Sequence, residues 1–355
     1  MMTTADASES RPEDNLIELR ESNDAILDQS QLQQRMQEDG YLFFRHLLPS
    51  DSLRELRYEM LKVMQDGGWI RGDTDPVEGI AEPGVQCTEG DPGYTDVYHK
   101  VYALRAFHAI AHLPEITTVI ERIMGGPITP QPLKVARLWF PKYTAHTTPI
   151  HQDFVHFQGT TRNLTAWTPV GDCPVELGGL AVLHGSHKLN RVVEHQFSLG
   201  AGSLAIDIEG QRISGEWHST NYQWGDTLIF PAVTIHKALP NLTEDRLRVS
   251  LDNRYQLQSD QIAYHMTQPH LQTMASVTWD DIYREWDSDD PLRYYWQGMP
   301  MPIIPKDDTF GNKGFDEALA MARAGSEPAI HHLRRYIARD PDSKQSRLAA
   351  SVLGE

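Results

Sequence analysis

The chain has 355 residues, with 49 acidic and 32 basic side chains, so its formal net charge is −17 when histidine is neutral. Nucleic acids and anionic membranes both attract Lys- and Arg-rich surfaces, and the acidic balance therefore argues against either as a partner. Two cysteines allow at most one disulfide, and we recognise neither a signal peptide nor an apolar run of membrane-spanning length. These features predict a cytoplasmic globular protein with a sizeable core.

The first third of the chain is predicted to be mixed in structure. Residues 1–30 are polar and acidic, and we expect them to form a mobile tail. The segment 40–48 is predicted as a short buried strand. Apolar residues at helical spacing predict helices from Ser52 and from Pro114. Between them, residues 67–98 are rich in Gly, Pro, Asp and Glu, which is typical of a long binding loop or lid.

The middle of the chain, residues 133–255, contains short β-like runs separated by Gly, Pro, Asn and Asp. Such spacing predicts an antiparallel sandwich or barrel, so the fold class is mainly β with flanking helices. We assign this core to a domain spanning residues 31–305. Apolar stripes then predict a C-terminal helical extension at residues 306–355.

One histidine and one aspartate have the spacing of a metal site. Two histidines and one carboxylate on a single face are a common ligand set for non-heme iron, and alternate residues of a strand point the same way. His151 and Asp153, in the predicted strand PIHQDFVHF, have this spacing. The spacing alone is expected by chance in a chain with 49 acidic residues, so its context decides.

That context lies about 85 residues further on, in the segment GDTLIFPAVTIHKALPNLTEDRLRVSLDNRY. His236 is predicted to lie on one strand and Arg248 on the next. In this second strand charged and polar residues alternate with Leu and Val, which would suit either a metal cavity or a solvated face. An arginine facing the metal would bind a dicarboxylate cosubstrate, because the guanidinium pairs with carboxylate in a bidentate fork.

These segments, together with GYLFFRHLLPSDSLRELR near the start and AWTPVGDCPVELGGLAVLHGSHK in the centre, resemble the phytanoyl-CoA dioxygenase family of iron(II)- and 2-oxoglutarate-dependent oxygenases. The resemblance covers most of the chain. It implies a double-stranded β-helix core, that is, a cupin-like jelly roll. It also implies Fe(II), 2-oxoglutarate as cosubstrate and O2, with ascorbate as the reductant in assays.

The resemblance also implies roles for individual residues. The metal ligands are expected to be His151, Asp153 and His236, and Arg248 is expected to bind the distal carboxylate of 2-oxoglutarate, in preference to Arg246. Gln152 and Trp167 match positions that line the cosubstrate pocket in some relatives. The catalytic set is therefore His151, Asp153, His236 and Arg248.

The chain departs from the family pattern at one position. Many relatives carry a hydroxyl residue two positions after the distal histidine, which helps to hold the 2-oxoglutarate carboxylate, but here that residue is Ala238. Related halogenases replace the carboxylate ligand by a small residue. In this chain that position is Asp153, a carboxylate, and hydroxylation is therefore favoured over halogenation.

The expected function is hydroxylation of an unactivated C–H bond in a small-molecule metabolite. Desaturation, epimerisation and cyclisation are alternatives on the same scaffold, and a non-catalytic metal-binding jelly roll is another. No Lys/Arg cluster calls for a CoA phosphate, so a CoA ester is not implied. His156, Phe157, Arg162 and Asn163 are candidates for facing the substrate, whereas His184, His187, His108 and His112 are interpreted as structural.

Overall fold

The computed structural model describes residues 15–89, 91–144, 146–270 and 276–355. Its strands are β1 (Ile17–Glu18), β2 (Leu42–Phe44), β3 (Ile128–Pro130), β4 (Val135–Trp139), β5 (Leu164–Pro169), β6 (Leu180–Leu183), β7 (Gln196–Phe197), β8 (Leu204–Ala205), β9 (Trp217–Ser219), β10 (Thr227–Pro231), β11 (His236–Ala238), β12 (Arg248–Leu257), β13 (Ile262–Ala263) and β14 (Ile303–Ile304).

The helices are α1 (Gln29–Asp39), α2 (Ser50–Asp66), α3 (Pro92–Tyr102), α4 (Arg105–Ala109), α5 (Pro114–Met124), α6 (Phe154–Phe157), α7 (Trp279–Ile282), α8 (Thr309–Arg323), α9 (Glu327–Arg339) and α10 (Lys344–Leu353). Among the described residues, none of these helices is long and apolar enough to cross a membrane.

Two sheets build the core, and the predicted mainly-β jelly roll with flanking helices is confirmed. The larger sheet has the order β2-β10-β5-β12-β3, with β4 also pairing with β12, and the smaller one has the order β1-β9-β6-β11. Strand β12 lies at the centre because β5 pairs with one edge, and β4 and β3 pair with successive parts of the other. Its predicted alternation is correct, and nearly every residue along it is buried. Arg248, Asp252 and Arg254, which alternate along β12, therefore face an interior cavity rather than solvent.

The N-terminal segment differs from its prediction. Residues 1–14 of the predicted tail lie outside the described residues, but residues 15–30 are folded onto the smaller sheet. Strand β1 pairs in parallel with β9, the Leu19 amide donates to the Ser219 carbonyl at 3.1 Å, and Ala25 is fully buried. The long-range pairing with an edge strand supplies the order that this polar segment lacks on its own.

The predicted strand PIHQDFVHF is wrong beyond its first residues. His151 forms an isolated bridge with His236, with both backbone hydrogen bonds at 3.0 Å. The chain then turns, because Asp153 has helical backbone angles (φ −59°, ψ −30°) and helix α6 follows it directly. His151 and Asp153 therefore converge through this turn and not through strand alternation.

The predicted helices are confirmed, and the predicted loop 67–98 ends in one. Helix α2 buries an apolar stripe, namely Leu53, Leu56, Met60, Leu61 and Met64, and α5 begins at Pro114 as expected. Helix α3 begins at Pro92, inside the segment predicted as loop. Helices α8, α9 and α10 lie in the predicted C-terminal extension and share their own apolar cluster, which Phe197 of β7 joins to the body.

Candidate active site

Three buried side chains, His151, Asp153 and His236, converge where the smaller sheet meets the turn before α6. Their ligand atoms all lie within 4.8 Å of one another. Oδ1 of Asp153 is 3.3 Å from Nε2 of His151 and 3.5 Å from Nε2 of His236. This is the set of three that the sequence predicts, and the two nitrogens and one oxygen match a facial iron triad.

Backbone carbonyls fix the orientation of both imidazole rings. Nδ1 of His151 donates to the Pro149 carbonyl at 2.8 Å, and Nδ1 of His236 donates to the Thr234 carbonyl at 3.0 Å. When either ring is neutral its proton therefore lies on Nδ1, and Nε2 is the ring atom nearest Asp153. Burial and the neighbouring His236 lower the pKa of His151, which keeps its imidazole neutral and able to bind a cation.

The far oxygen of Asp153 is held by two groups that sequence reasoning did not single out as site residues. The Thr165 hydroxyl and Nη2 of Arg254, the latter at 3.0 Å, both donate to Oδ2. Burial disfavours the charged carboxylate, but the Arg254 charge and the two neighbouring histidines outweigh it and hold the pKa of Asp153 well below its usual value. The carboxylate is thus ionised, with Oδ1 directed at the histidines.

Arg248 lies between two tryptophan rings at the other end of the site. Its guanidinium carbon is 4.1 Å from the ring centroid of Trp139 and 5.3 Å from that of Trp167. Nε donates to the Gly178 carbonyl at 2.9 Å, while the buried Nη1 has no hydrogen-bond partner among the described residues. A buried guanidinium with a free N–H edge is well suited to bind a carboxylate.

A glycine is required at position 178 beside this arginine. Gly178 has φ +93°, and an added Cβ would lie 2.7 Å from the Leu239 carbonyl oxygen. Only glycine adopts this conformation without strain and leaves room for the opposing backbone. The turn that holds the guanidinium of Arg248 therefore depends on it.

The triad and Arg248 share one cavity. Other side chains that line it are Arg137, Trp139, Thr148, Thr165, Trp167, Leu180, Phe230, Ala238, Asp252 and Arg254. Trp167 thus lines the cavity that contains Arg248, and its contact with the cosubstrate stays a prediction. Ala238 lies at the cavity wall without a hydroxyl, and Thr148, whose carbonyl accepts the Ala238 amide at 3.1 Å, lines the same cavity.

Gln152 does not lie where the resemblance implies. Its buried side chain is turned away from the cavity, donates to the carbonyls of Arg191 and Val233 and accepts the amide of Val193. Gln152 lies between two residues that face the cavity, so its own side chain points to the opposite side, as it would on a strand. Gln152 braces the loop at 191–193, and its proposed place in the cosubstrate pocket is a wrong prediction.

The remaining candidates divide between a second cavity and the rest of the molecule. His156 and Phe157 line a cavity of about 240 Å³ whose lining also includes His151. The Arg162 side chain is largely exposed and forms an ion pair with Asp260. Arg246 is also exposed, and it donates to the Glu78 carbonyl. The four histidines interpreted as structural have other neighbours. His184 stacks on His218, His187 bonds to Gln37, and His108 and His112 pack on aromatic rings.

Arg254 and Thr165 become partners of Asp153 through strand pairing. Arg254 was visible in the sequence only as part of the polar face of the last strand, and no signal marked Thr165. The two residues are directly opposite each other in the β12–β5 register. The contact therefore depends on a register that sequence periodicity does not specify.

Comparisons with known proteins agree with this geometry. The family model for phytanoyl-CoA dioxygenase (PhyH) matches residues 36–250, more than half of the chain. The chain belongs to this family, and the protein is an iron(II)- and 2-oxoglutarate-dependent oxygenase.

Among curated relatives, the chain is similar to 1-deoxypentalenic acid 11-beta-hydroxylase of Streptomyces exfoliatus, with 25% identity over 72% of this chain and 91% of that protein. The enzyme of the same name from Streptomyces arenae is 25% identical over 68% of this chain and 86% of that protein. Among solved structures, the α-ketoglutarate-dependent epimerase SnoN from nogalamycin biosynthesis is 19% identical. That match covers 66% of this chain and 85% of that one, with a TM-score of 0.45.

Proposed function

We propose that the protein hydroxylates an unactivated C–H bond of a small-molecule substrate, with His151, Asp153 and His236 as the iron ligands. The observation that carries this proposal is the convergence of Nε2, Oδ1 and Nε2 within 4.8 Å in a buried site. Two imidazoles and one ionised carboxylate suit Fe(II) and leave further coordination positions open. When bound, iron would activate O2 with 2-oxoglutarate as the co-reductant, yielding succinate, carbon dioxide and oxidised substrate.

Arg248 is the residue that we propose to bind 2-oxoglutarate. Its free Nη1 edge faces the same cavity as the metal ligands, and two tryptophans keep the guanidinium in place. Bidentate pairing with the distal carboxylate would satisfy the unpartnered nitrogen. The cosubstrate would then lie between Arg248 and the triad. Its 2-oxo acid end would be directed at the metal ligands before the substrate binds.

Hydroxylation is favoured because the carboxylate ligand is present and tightly held. Asp153 occupies the position that related halogenases leave to a small residue, and Thr165 and Arg254 hold its outer oxygen. The two curated relatives are named as hydroxylases. Desaturation, epimerisation and cyclisation use the same ligand set, so identification of the product decides between these outcomes.

The test is an assay of the purified protein with Fe(II), ascorbate and 2-oxoglutarate. We expect succinate formation that small molecules from a metabolite library stimulate, with hydroxylated product in the stimulated reactions. Asp153→Ala should abolish this succinate formation, whereas Asp289→Ala, an exposed change of the same kind, should leave it unchanged. Normal succinate formation by Asp153→Ala would refute the assignment, and a folded wild-type protein that forms none would indicate a non-catalytic binding protein.

We also propose a cytoplasmic location. Cys87 and Cys173 are both free thiols, which is usual in a reducing compartment. Fractionation of cells that express the native chain, with detection by antibody, would test this.

A further inference from the structure

A second cavity adjoins the one that the triad and Arg248 share, which we call the metal cavity. The second cavity is the candidate substrate site. Its open volume is about 240 Å³, and it shares Arg137, Thr148 and His151 with the metal cavity. The metal cavity contains Arg248, so 2-oxoglutarate would occupy it. The second cavity is larger than the metal cavity and lies just below the roughly 300 Å³ at which small-molecule sites begin.

The charges that line this second cavity neutralise one another. Arg137 forms ion pairs with Glu89 and, at 3.4 Å, with Asp252, and all three side chains are largely buried. Lys306 lies at the exposed edge, 3.4 Å from Asp308. Among the described lining residues, every charged side chain has a partner of opposite sign. A charged substrate group would therefore be buried without a counter-ion, which is costly.

The histidines of this cavity are neutral hydrogen-bonding groups. Burial lowers the pKa of His265, and it lowers the pKa of His270 to about 4. Nε2 of His265 donates to the His156 carbonyl at 2.8 Å, so its Nδ1 is an acceptor, and this buried atom has no partner among the described residues. A hydroxyl group of the substrate would satisfy it. Beside these groups, Leu133 and Phe157 provide apolar surface.

The cavity continues to the C-terminal helices. Through Ala201 and Gly202 it adjoins a space of about 130 Å³ lined by Arg335 of α9. Through Gly202 it also adjoins one of about 290 Å³ lined by Gly311 and Phe315 of α8. The lining is thus continuous from the metal ligands to helices that lie beyond the family match at residues 36–250.

Direct contacts attach these helices to the site. The Gln158 side chain, one residue after α6, donates to the Asp307 carbonyl at 2.8 Å and accepts the Asp307 amide at 2.7 Å. Arg335 forms an ion pair with Asp91 at 3.0 Å and donates to the Glu89 carbonyl at 2.7 Å. The extension is therefore positioned to form the outer wall of the substrate cavity.

We propose, on the basis of the function stated above, that the substrate is an uncharged, mostly apolar molecule with at least one hydroxyl group, and that it extends from the metal to the wall formed by α8 and α9. Two features select it. Nδ1 of His265 accepts a hydrogen bond from the hydroxyl group, and the apolar side chains of the second cavity contact the rest of the molecule. The C-terminal extension limits its length.

Two fluorescent probes with the same rings test the charge preference. N-phenyl-1-naphthylamine is uncharged, and 8-anilinonaphthalene-1-sulfonate adds one sulfonate. Each is titrated into full-length protein loaded with Fe(II) and 2-oxoglutarate in the absence of O2. We expect the uncharged probe to bind at least about tenfold more tightly, because the sulfonate would lose its hydration without gaining a free cation. Equal or tighter binding of the sulfonate would overturn the proposed substrate class.

Two variants test where the probe binds. Ala201→Phe places a ring in the second cavity. Gly311→Trp fills the adjoining space that is lined by α8, and a Cβ added at Gly311 meets no atom within 4 Å. Each should weaken binding of the uncharged probe at least about fivefold by steric exclusion. Ala320→Phe, on the exposed side of α8, is the matched control and should have no effect. If Ala201→Phe does not fold, Gly311→Trp decides.

Unchanged affinity in folded Gly311→Trp would overturn the role of the extension. The two proposals fail differently, because succinate formation does not require the second cavity. Succinate formation with no preference for the uncharged probe refutes this inference alone. If the probe binds, and if the two variants weaken that binding, but the wild-type protein forms no succinate, the proposed function is refuted.

Discussion

Nη2 of Arg254 lies 3.0 Å from Oδ2 of Asp153, while Oδ1 of the same carboxylate lies 3.3 Å from Nε2 of His151. The arginine thus holds the carboxylate from the side opposite the histidines. Arg254 is almost completely buried, and its guanidinium stacks on the ring of Phe157. A ligand oriented in this way is ready to bind the metal without a rotamer change.

Replacing Arg254 should therefore weaken metal binding. Arg254→Met keeps much of the packing but removes the charge and the hydrogen bond, so Asp153 keeps only Thr165 as a partner of its outer oxygen. We expect affinity for Co(II), used as a spectroscopic substitute for Fe(II), to fall about 10- to 100-fold. Titration followed by the visible absorption of Co(II) measures it. Arg162→Met, which removes an arginine from a partly exposed ion pair, is the control, and equal affinities of the two variants would contradict the role of Arg254.

The 2-oxoglutarate site can be tested in the same way. Arg248→Met should raise the Kd for 2-oxoglutarate at least about tenfold, because the carboxylate loses a buried cation. Calorimetric titration of Zn(II)-loaded protein measures this without substrate. Arg246→Met is a close control, since Arg246 is exposed two residues away. Gly178→Ala should also raise the Kd, because the Cβ would displace the carbonyl that holds Arg248.

Restoring a hydroxyl group at position 238 should increase the affinity for 2-oxoglutarate. Ala238→Ser should lower the Kd for 2-oxoglutarate about 2- to 10-fold, the value of one additional hydrogen bond. Ala238→Val adds bulk without a donor and should not lower it. If Thr148 already supplies this hydrogen bond, Thr148→Val will raise the Kd and Ala238→Ser will restore it in the double variant. A Kd that Ala238→Ser leaves unchanged in both backgrounds would exclude any role for this position.

Lys134 gives a prediction for stability and pH. Its side chain is 1% exposed and donates to the Gln131 carbonyl and the Tyr295 hydroxyl, and burial lowers its pKa from 10.5 to about 7. Between pH 7 and 10.5 the unfolded chain binds more protons at this position than the folded protein. The free energy of unfolding should therefore rise with pH across that window, and the cost is greatest below pH 7.

Lys134→Met should remove this cost. We expect it to raise the free energy of unfolding at pH 7 by about 1–4 kcal/mol and to flatten the rise toward pH 10. Denaturant unfolding at a series of pH values measures both effects. Lys62→Met, on an exposed lysine, controls for the loss of one positive charge. A lower stability of Lys134→Met at every pH would show that the ammonium is favourable where it lies.

Local pattern and the family resemblance together predicted much of the site. The period-two alternation in β12 indicated which of its residues share a face, and the resemblance, rather than the His-x-Asp spacing alone, indicated the candidate ligands. The structure brings His151, Asp153 and His236 together and places Arg248 in the same cavity. These features depend on residues close in sequence or on a motif shared with the family.

The remainder depends on contacts between distant segments. The turn at Asp153 comes directly after a bridge between His151 and His236, which are far apart in the sequence. The contact of Arg254 with Asp153 requires the β12–β5 register. The order of residues 15–30 requires the edge of β9. None of these pairings has a local sequence signal, because each is selected by the packing of the whole core.

Anaerobic titration of the Fe(II)-loaded protein with 2-oxoglutarate tests the central claim most directly. Chelation of Fe(II) by the 2-oxo acid produces a visible charge-transfer band, and we predict that this band appears at one equivalent in the wild type. It should be lost in His236→Ala and should require a much higher 2-oxoglutarate concentration in Arg248→Met. Absence of the band in folded wild-type protein, or its persistence in His236→Ala, would contradict the account.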